Sequence, residues 1–339
     1  MRIVRPIRMD DLDALLMMAR TAGNGFTSLP PNIDYLRKKI ELSLNSFDAD
    51  VQQAGHERYM FVLEETDTGE IGGCCAVEAA CGLDEAFYNY HIGLTVHASR
   101  ELKIYSRVPT LYLSNDYTGS SVLCSLFLRP EFRDNHAGKL LSKSRFLFMA
   151  SHVQRFAAKV IAEMRGVSNS EGRSPFWEGL GRHFFSIDYT AAEHIVGKGN
   201  KSFIAELMPP HPIYTVLLPR EAQDVIGRVH EHTLPALKLL EQEGFRYQGY
   251  IDIFDGGPTV EAPTGEIRSI RRSRLHQTTI APAKSLEQAD MHLIARPDVQ
   301  QFRCAIAQLK PTGGDVRLSP ELAAALHVRG GDAVRVVAA

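Results

Sequence analysis

Apolar positions along the chain fall mostly into short runs parted by glycine- and proline-bearing turns, with only a few stretches at helical spacing. Residues 2–7 read as a strand. A helix follows with Leu12, Leu15, Leu16 and Ala19 on its apolar face and Asp10 or Asp11 as its cap. Residues 23–31 carry two glycines and two prolines and read as a loop. A second helix is expected over 34–47. The runs 59–65, 71–80, 88–98 and 110–114 then read as strands, joined mostly by turns such as Asp67-Thr68-Gly69. Strands gathered this way predict an α+β protein with a mixed, largely antiparallel sheet.

The organising stretch is 122–150. Its first seven residues, VLCSLFL, are too short and too continuously apolar for an exposed helix and read as a buried strand. Arg129-Pro130 stops it, since proline cannot donate into a ladder. A polar loop from Arg133 to Gly138 leads into an amphipathic helix. Its apolar residues are Leu140, Leu141, Phe146, Leu147, Phe148 and Met149, with Lys139, Lys143 and Arg145 between them. Strand, glycine-bearing loop and helix together can hold a phosphate, because first-turn N–H groups and the positive end of the helix dipole point at the loop. Arg133 at the loop entrance suits a pyrophosphate. The pattern Arg133-x-x-His136-x-Gly138 resembles the pyrophosphate loop of the GNAT acyl-CoA transferase superfamily, with His136 where the first glycine of that pattern stands.

Beyond this helix a strand is expected over 159–164, a turn over 165–169 and a capped helix over 174–185, which completes one GNAT-like unit within residues 1–190. Residues 191–275 read as a second, degenerate GNAT-like half packed on the first. Its expected parts are a strand over 224–229, a turn at 230–233, a helix over 234–245 and a closing strand over 247–255. Residues 276–339 read as a linker and a small β-rich extension.

Composition narrows the function. Lys and Arg number 38 against 40 Asp and Glu, so no polycationic surface for nucleic acid is expected. The first residues lack the apolar core of a signal peptide and no run reaches membrane-spanning length, so the expected place is the cytoplasm. The five cysteines show no CxxC pair and read as small core residues. His230 and His232 lack a third ligand, so no metal site is expected.

A more specific resemblance runs in consistent order through about the first 275 residues. Phe26-Thr27-Ser28-Leu29-Pro30, Ser125-Leu126-Phe127-Leu128, Leu140-Leu141-Ser142, Ala162-Glu163-Met164-Arg165-Gly166 and Ser174-Pro175-Phe176-Trp177 carry it. So do Ala205-Glu206-Leu207-Met208-Pro209, Val229-His230 and the stretch from Asp252 to Pro258. These look like the arginine N-succinyltransferase family. The resemblance implies succinyl transfer from succinyl-CoA, a co-substrate rather than a resident cofactor, to the α-amine of L-arginine, the first step of arginine catabolism. L-ornithine or another basic amino acid is the alternative acceptor. A weakly active or regulatory subunit is the alternative role, and a homo- or hetero-oligomer with a related subunit is implied.

By carry-over from the family, His230 moves the proton, and the backbone at Leu126 and Leu128 meets the succinyl-CoA arm. Arg133, His136 and Gly138 meet its phosphates. Imidazole titrates near neutrality, which suits a proton carrier, and His232 is the neighbouring competitor. An arginine acceptor also asks for carboxylates and a succinyl tail for a cation. Glu163 is the first candidate on the acceptor side, with Asp116, Asp252 and Asp255 behind it. Arg165 or Arg182 is the candidate for the succinyl carboxylate.

Overall fold

The computed structural model describes residues 1–22, 28–133, 136–169, 171–197, 207–281 and 289–339. Most of the loop expected at 23–31, and Asp134 and Asn135 of the phosphate loop, lie outside them.

Strands β1 (Arg2–Pro6), β2 (Arg58–Glu65), β3 (Glu70–Glu78), β4 (Asn89–Ser99), β5 (Ile104–Ser114) and β6 (Ser121–Leu128) follow the expected runs. After them come β7 (Lys159–Glu163), β8 (Ile213–Tyr214), β9 (Arg246–Ile251) and β10 (Pro258–Pro263). The last five are β11 (Arg274–Ile280), β12 (Asp290–Arg296), β13 (Arg303–Leu309), β14 (Asp315–Leu318) and β15 (Ala333–Ala338). All join one sheet in the order β14-β11-β15-β12-β13-β1-β2-β3-β6-β7-β10-β9-β4-β5-β8. Only β6–β7 and β11–β14 pair in parallel, so the sheet is mixed and largely antiparallel.

Period-two alternation sorts the two faces. On β2, Met60 and Val62 pack with α1 (Leu12–Ala22) and α2 (Ile33–Asp48). Tyr59, Phe61 and Leu63 turn the other way, onto α3 (Ala137–Ser151). There Phe148 makes edge contacts with Phe47, Phe61 and Phe302 at ring centroids 5.7, 5.1 and 5.2 Å apart. Of the two expected caps, Asp11 takes the Arg8 N–H at 2.7 Å ahead of α1, and the same buried carboxylate pairs with Arg5 at 2.8 Å.

Residue 190 is not a break in the sheet. The strand expected over 224–229 is instead the end of a short helix, α7 (Arg220–Val225), a turn at 226–227 and an isolated bridge from Val229 to Gly166; α7 follows α4 (Pro175–Gly179), α5 (Gly181–Phe185) and α6 (Tyr189–Gly197). The helix expected next is α8 (Leu234–Glu243), ended by Gly244 at φ 106°. The closing strand stops at Ile251, and Asp252 accepts the N–H groups of Phe254 and Asp255 to form a turn. Pro258 then opens β10, a place in a strand where its missing N–H is tolerated. β9 and β10 insert between β4 and β7 of the first unit, so residues 191–275 finish the sheet that residues 1–190 begin.

The C-terminal extension is β-rich, and it continues the same sheet through β13, whose Cys304 pairs with Val4 of β1. Its own core gathers Val316, Leu318 and Val336 with α10 (Pro320–Leu326), which follows α9 (Arg268–Arg272) in the chain.

The amphipathic reading of α3 is corrected. Leu140 to Met149 are all buried, including Lys143, which pairs with Glu243 of the covering helix α8, and Arg145, which reaches the Ala76 carbonyl of β3.

Candidate functional site

β6 and β7 hold register only at Ser121↔Val160 and Val122↔Ile161, and past that point they part. On the opposite side of β6 the pairing with β3 slips between Cys74 and Ala76, which leaves one extra residue on β6. Ser125 sits in that bulge at φ 54°, a left-handed conformation uncommon for any residue but glycine. Its carbonyl accepts the Cys74 thiol at 3.4 Å and its hydroxyl donates to Ser28 Oγ at 3.1 Å. The bulge interrupts the ladder with β3, which resumes at Phe127, and on the other side β7 has already departed, so the backbone around Leu126 borders an opening there.

That opening is a cavity of about 1000 Å³. Its walls are β6 from Val122 to Leu128, the end of β7 through Arg165, the first half of α3, the turn at 231–233 and the segment 252–255. Thr21, Ala22 and Ser28 border it from the α1 side. A volume of this size accommodates a long thioester arm together with a small acceptor.

Leu126, Leu128, Arg133, Gly138, Glu163 and Arg165 share this cavity. Arg133 donates from Nε to the Leu128 carbonyl at 3.1 Å, which ties the loop to the end of β6. His136 is the exposed N-cap residue of α3, and its side chain does not cap the helix. Gly138 follows in the first turn. Among the described residues a methyl group there would meet only a Leu128 Cδ, at 3.9 Å, so none of them requires glycine at this position.

Glu163, at the end of β7, accepts from Asn89 Nδ2 at 3.0 Å. Arg165 donates from Nη2 to Ser168 Oγ at 2.8 Å, while its buried Nε has no protein acceptor among the described residues. Asp252 and Asp255 line the cavity, and both carboxylates are engaged on backbone N–H groups: Phe254 and Asp255 for the first, Gly166 and Gly257 for the second.

Two candidates lie elsewhere. Asp116 stands before the start of β6, at the opposite end of the strand from the splay. It accepts the Tyr250 hydroxyl at 2.7 Å, which holds its carboxyl below the usual range. Arg182 pairs at the surface with Glu178 at 3.1 Å and Asp188 at 2.8 Å.

His230 stands just behind the wall. The lining takes Glu231, His232 and Thr233 from its turn but not His230 itself. Its backbone N–H donates to the Arg165 carbonyl at 2.9 Å, and its Nδ1 accepts the His232 N–H at 3.2 Å. Partial burial, then the nearby Arg165 and His232, push the His230 imidazole below its ordinary value, so the ring stays neutral to lower pH.

One cavity residue escaped the sequence reading. Arg145 is 2% exposed and lines the cavity from α3. A cation amid Ser144, Phe146 and Leu147 was legible only as part of a helix's polar face, whereas in the fold it turns onto the sheet and reaches the Ala76 carbonyl of β3.

The family model of the arginine N-succinyltransferase beta subunit matches residues 2–269, and that of its C-terminal domain matches residues 276–338. The chain belongs to the arginine N-succinyltransferase family. It is 49% identical over 338 residues to the arginine N-succinyltransferases of Salmonella paratyphi B and Salmonella typhimurium, covering 99% of this chain and 97% of each relative. Among solved structures it is similar to arginine/ornithine succinyltransferase subunit AI of Pseudomonas aeruginosa. The TM-score is 0.91 at 40% identity, with 100% of this chain and 98% of that one covered. The boundary between the two family models, at 269–276, coincides with the passage from α9 to β11. Within this family the chain is an acyltransferase, and its cavity is framed by strand β6, the start of α3 and the splayed parallel strand β7. Among the described residues, no helix is long and apolar enough to cross a membrane.

Proposed function

We propose that this protein transfers the succinyl group of succinyl-CoA to the α-amine of L-arginine within the cavity between β6 and β7. The observation that carries the reading is the parting of the two strands after Val122, with α3 starting at the end of the same β6. The pyrophosphate lies at the first turn of α3, beside Arg133 and His136, where the positive end of the helix dipole favours an anion. Gly138 lets it approach the backbone closely, which accounts for a glycine that packing does not demand.

The pantetheine arm follows the open edge of β6, and the thioester carbonyl takes the backbone N–H at Leu126. Negative charge that develops on that oxygen in the tetrahedral intermediate is held by a donor already in place. The neutral α-amine attacks the carbonyl carbon and a C–N bond forms. Collapse breaks the C–S bond, and the thiolate leaves with a proton. The proton released from the nitrogen passes to the 230–232 turn, with His230 as carrier through its depressed pKa. A specific observation favours a second reading of this step: His232 lines the cavity and His230 does not. Glu163 stands on the acceptor side for the substrate's guanidinium or amine. Arg165, with its unfilled Nε donor, stands there for the α-carboxylate.

Thiol release from succinyl-CoA, measured with L-arginine, with L-ornithine and without acceptor, tests the reading. Arginine-dependent release is expected. Ornithine belongs in the assay because the Pseudomonas relative is named for both amino acids. No release with either acceptor would refute the assignment.

A further inference from the structure

Arg145 is a cation in an unusual position. It is buried to 2% exposure, it lines the cavity, and no carboxylate among the described residues lies within ion-pair distance of it. By contrast its neighbour on α3, Lys143, is equally buried and is paired with Glu243 at 2.9 Å. The protein acceptors of Arg145 are neutral: the Ser142 carbonyl at 3.0 Å from Nε, Ser142 Oγ at 3.2 Å from Nη2, and the Ala76 carbonyl at 3.5 Å from Nη1. They engage three of its five N–H bonds, and the third contact is long. Guanidinium cannot shed its charge by deprotonation, so burial without an anion is costly unless an anion arrives.

The acidic residues of the cavity do not answer it. Glu163 is held by Asn89, Asp252 and Asp255 hold backbone N–H groups, and Glu231 is exposed on the 231–233 turn. Location completes the argument. Ala76, which Arg145 reaches, pairs with Cys124, the residue before the bulge at Ser125, and Leu126 follows directly. The guanidinium therefore lies under the part of β6 that receives the thioester.

We infer that Arg145 binds the terminal carboxylate of the succinyl group, and so selects a dicarboxylic acyl thioester over an uncharged one. Arg165, on the far wall beside the 230–232 turn, is left for the acceptor. A fork of N–H donors matches a carboxylate, which a lysine at the same place would match less well. The inference rests on the acyl-CoA reading of the cavity but not on the identity of the amine.

The test compares succinyl-CoA with butyryl-CoA, which has the same acyl length and a methyl group in place of the carboxylate. Two readouts are taken: equilibrium binding of each thioester without acceptor, and kcat/KM with L-arginine. Wild type is expected to favour succinyl-CoA by about 100-fold, and Arg145→Gln to lose most of that preference while handling butyryl-CoA within about threefold of wild type. Arg145→Lys is expected to keep a preference reduced about tenfold. A wild type that takes the two thioesters equally overturns the inference, as does an Arg145→Gln that weakens both in parallel. Should Arg145→Gln fail to fold, as judged by circular dichroism, Arg145→Lys decides: an unchanged preference overturns the inference. Preferential binding of succinyl-CoA that Arg145→Lys diminishes, with transfer to no amine, would support Arg145 while refuting the proposed reaction.

Discussion

Lys143 of α3 and Glu243 at the end of α8 form an ion pair at 2.9 Å with side chains 1% and 0% exposed. Glu243 also accepts the backbone N–H of Ser269 at 2.7 Å, so one carboxylate joins α3, α8 and the start of α9. Removing either partner leaves a charge buried without its counterion. Glu243→Gln is expected to destabilise the fold by about 3–5 kcal/mol, and a Lys143→Met, Glu243→Leu double variant to recover most of that. Denaturant unfolding of wild type and the two variants checks it. Equal loss in single and double variants would contradict the account.

Gly138 separates binding from stability. Alanine there fits beside Leu128, and it improves helix propensity by up to about 1 kcal/mol. Gly138→Ala is expected to melt at or above the wild-type temperature while its KM for succinyl-CoA rises about tenfold, a loss of about 1.4 kcal/mol. An unchanged KM would show that no phosphate approaches this backbone.

Ser125 tests the bulge. A β-branched residue at φ 54° is strained, so Ser125→Val is expected to cost about 1–3 kcal/mol and to lower kcat by disturbing the Leu126 N–H. Ser125→Gly relaxes the backbone and is expected to retain kcat. If valine leaves kcat intact, the bulge does not position the thioester.

The pH profile follows from His230. The carrier must be neutral to accept a proton, and its pKa lies below the ordinary 6.5, so the acid limb of kcat/KM is expected below pH 6.5. Comparing His230→Gln with His232→Gln identifies the carrier. Loss of activity in the His232 variant alone, with the limb unmoved in the His230 variant, would assign the step to His232.

His152 governs stability instead. Burial, then the nearby Arg155, pull its pKa down to about 4, and its Nε2 has no hydrogen-bond partner. A depressed histidine pKa means that the unfolded chain takes up its proton first as pH falls. Its share of stability is therefore intact above pH 6.5 and is lost progressively as pH falls toward 4. His152→Phe is expected to flatten this part of the stability curve. An unaltered slope would remove His152 from the account.

What the sequence determined is local. Alternation placed β1 to β7 and the helices α1 to α3, because burial on one or two faces of a strand or helix leaves a periodic trace. The loop from Arg133 to Gly138 was legible because a phosphate site at a strand–helix junction uses consecutive residues. The stretch 252–258 was legible as a motif but not in its role, since Asp255 reaches Gly166 from 89 positions away.

The tertiary structure alone decided the rest. The continuity of the sheet past residue 190 depends on β9 and β10 pairing with β4 and β7, partners that no local pattern names. The position of Asp116 at the wrong end of β6, and of Arg182 at the surface, follows from strand direction and chain path. Arg145 is the sharpest case. Along the sequence it belongs to a helix's polar face, and only the packing of α3 on the sheet, where it reaches Ala76 of β3, makes it a buried cation at a cavity. Periodicity records how much of an element is apolar, whereas the fold decides which of its charges lose contact with water.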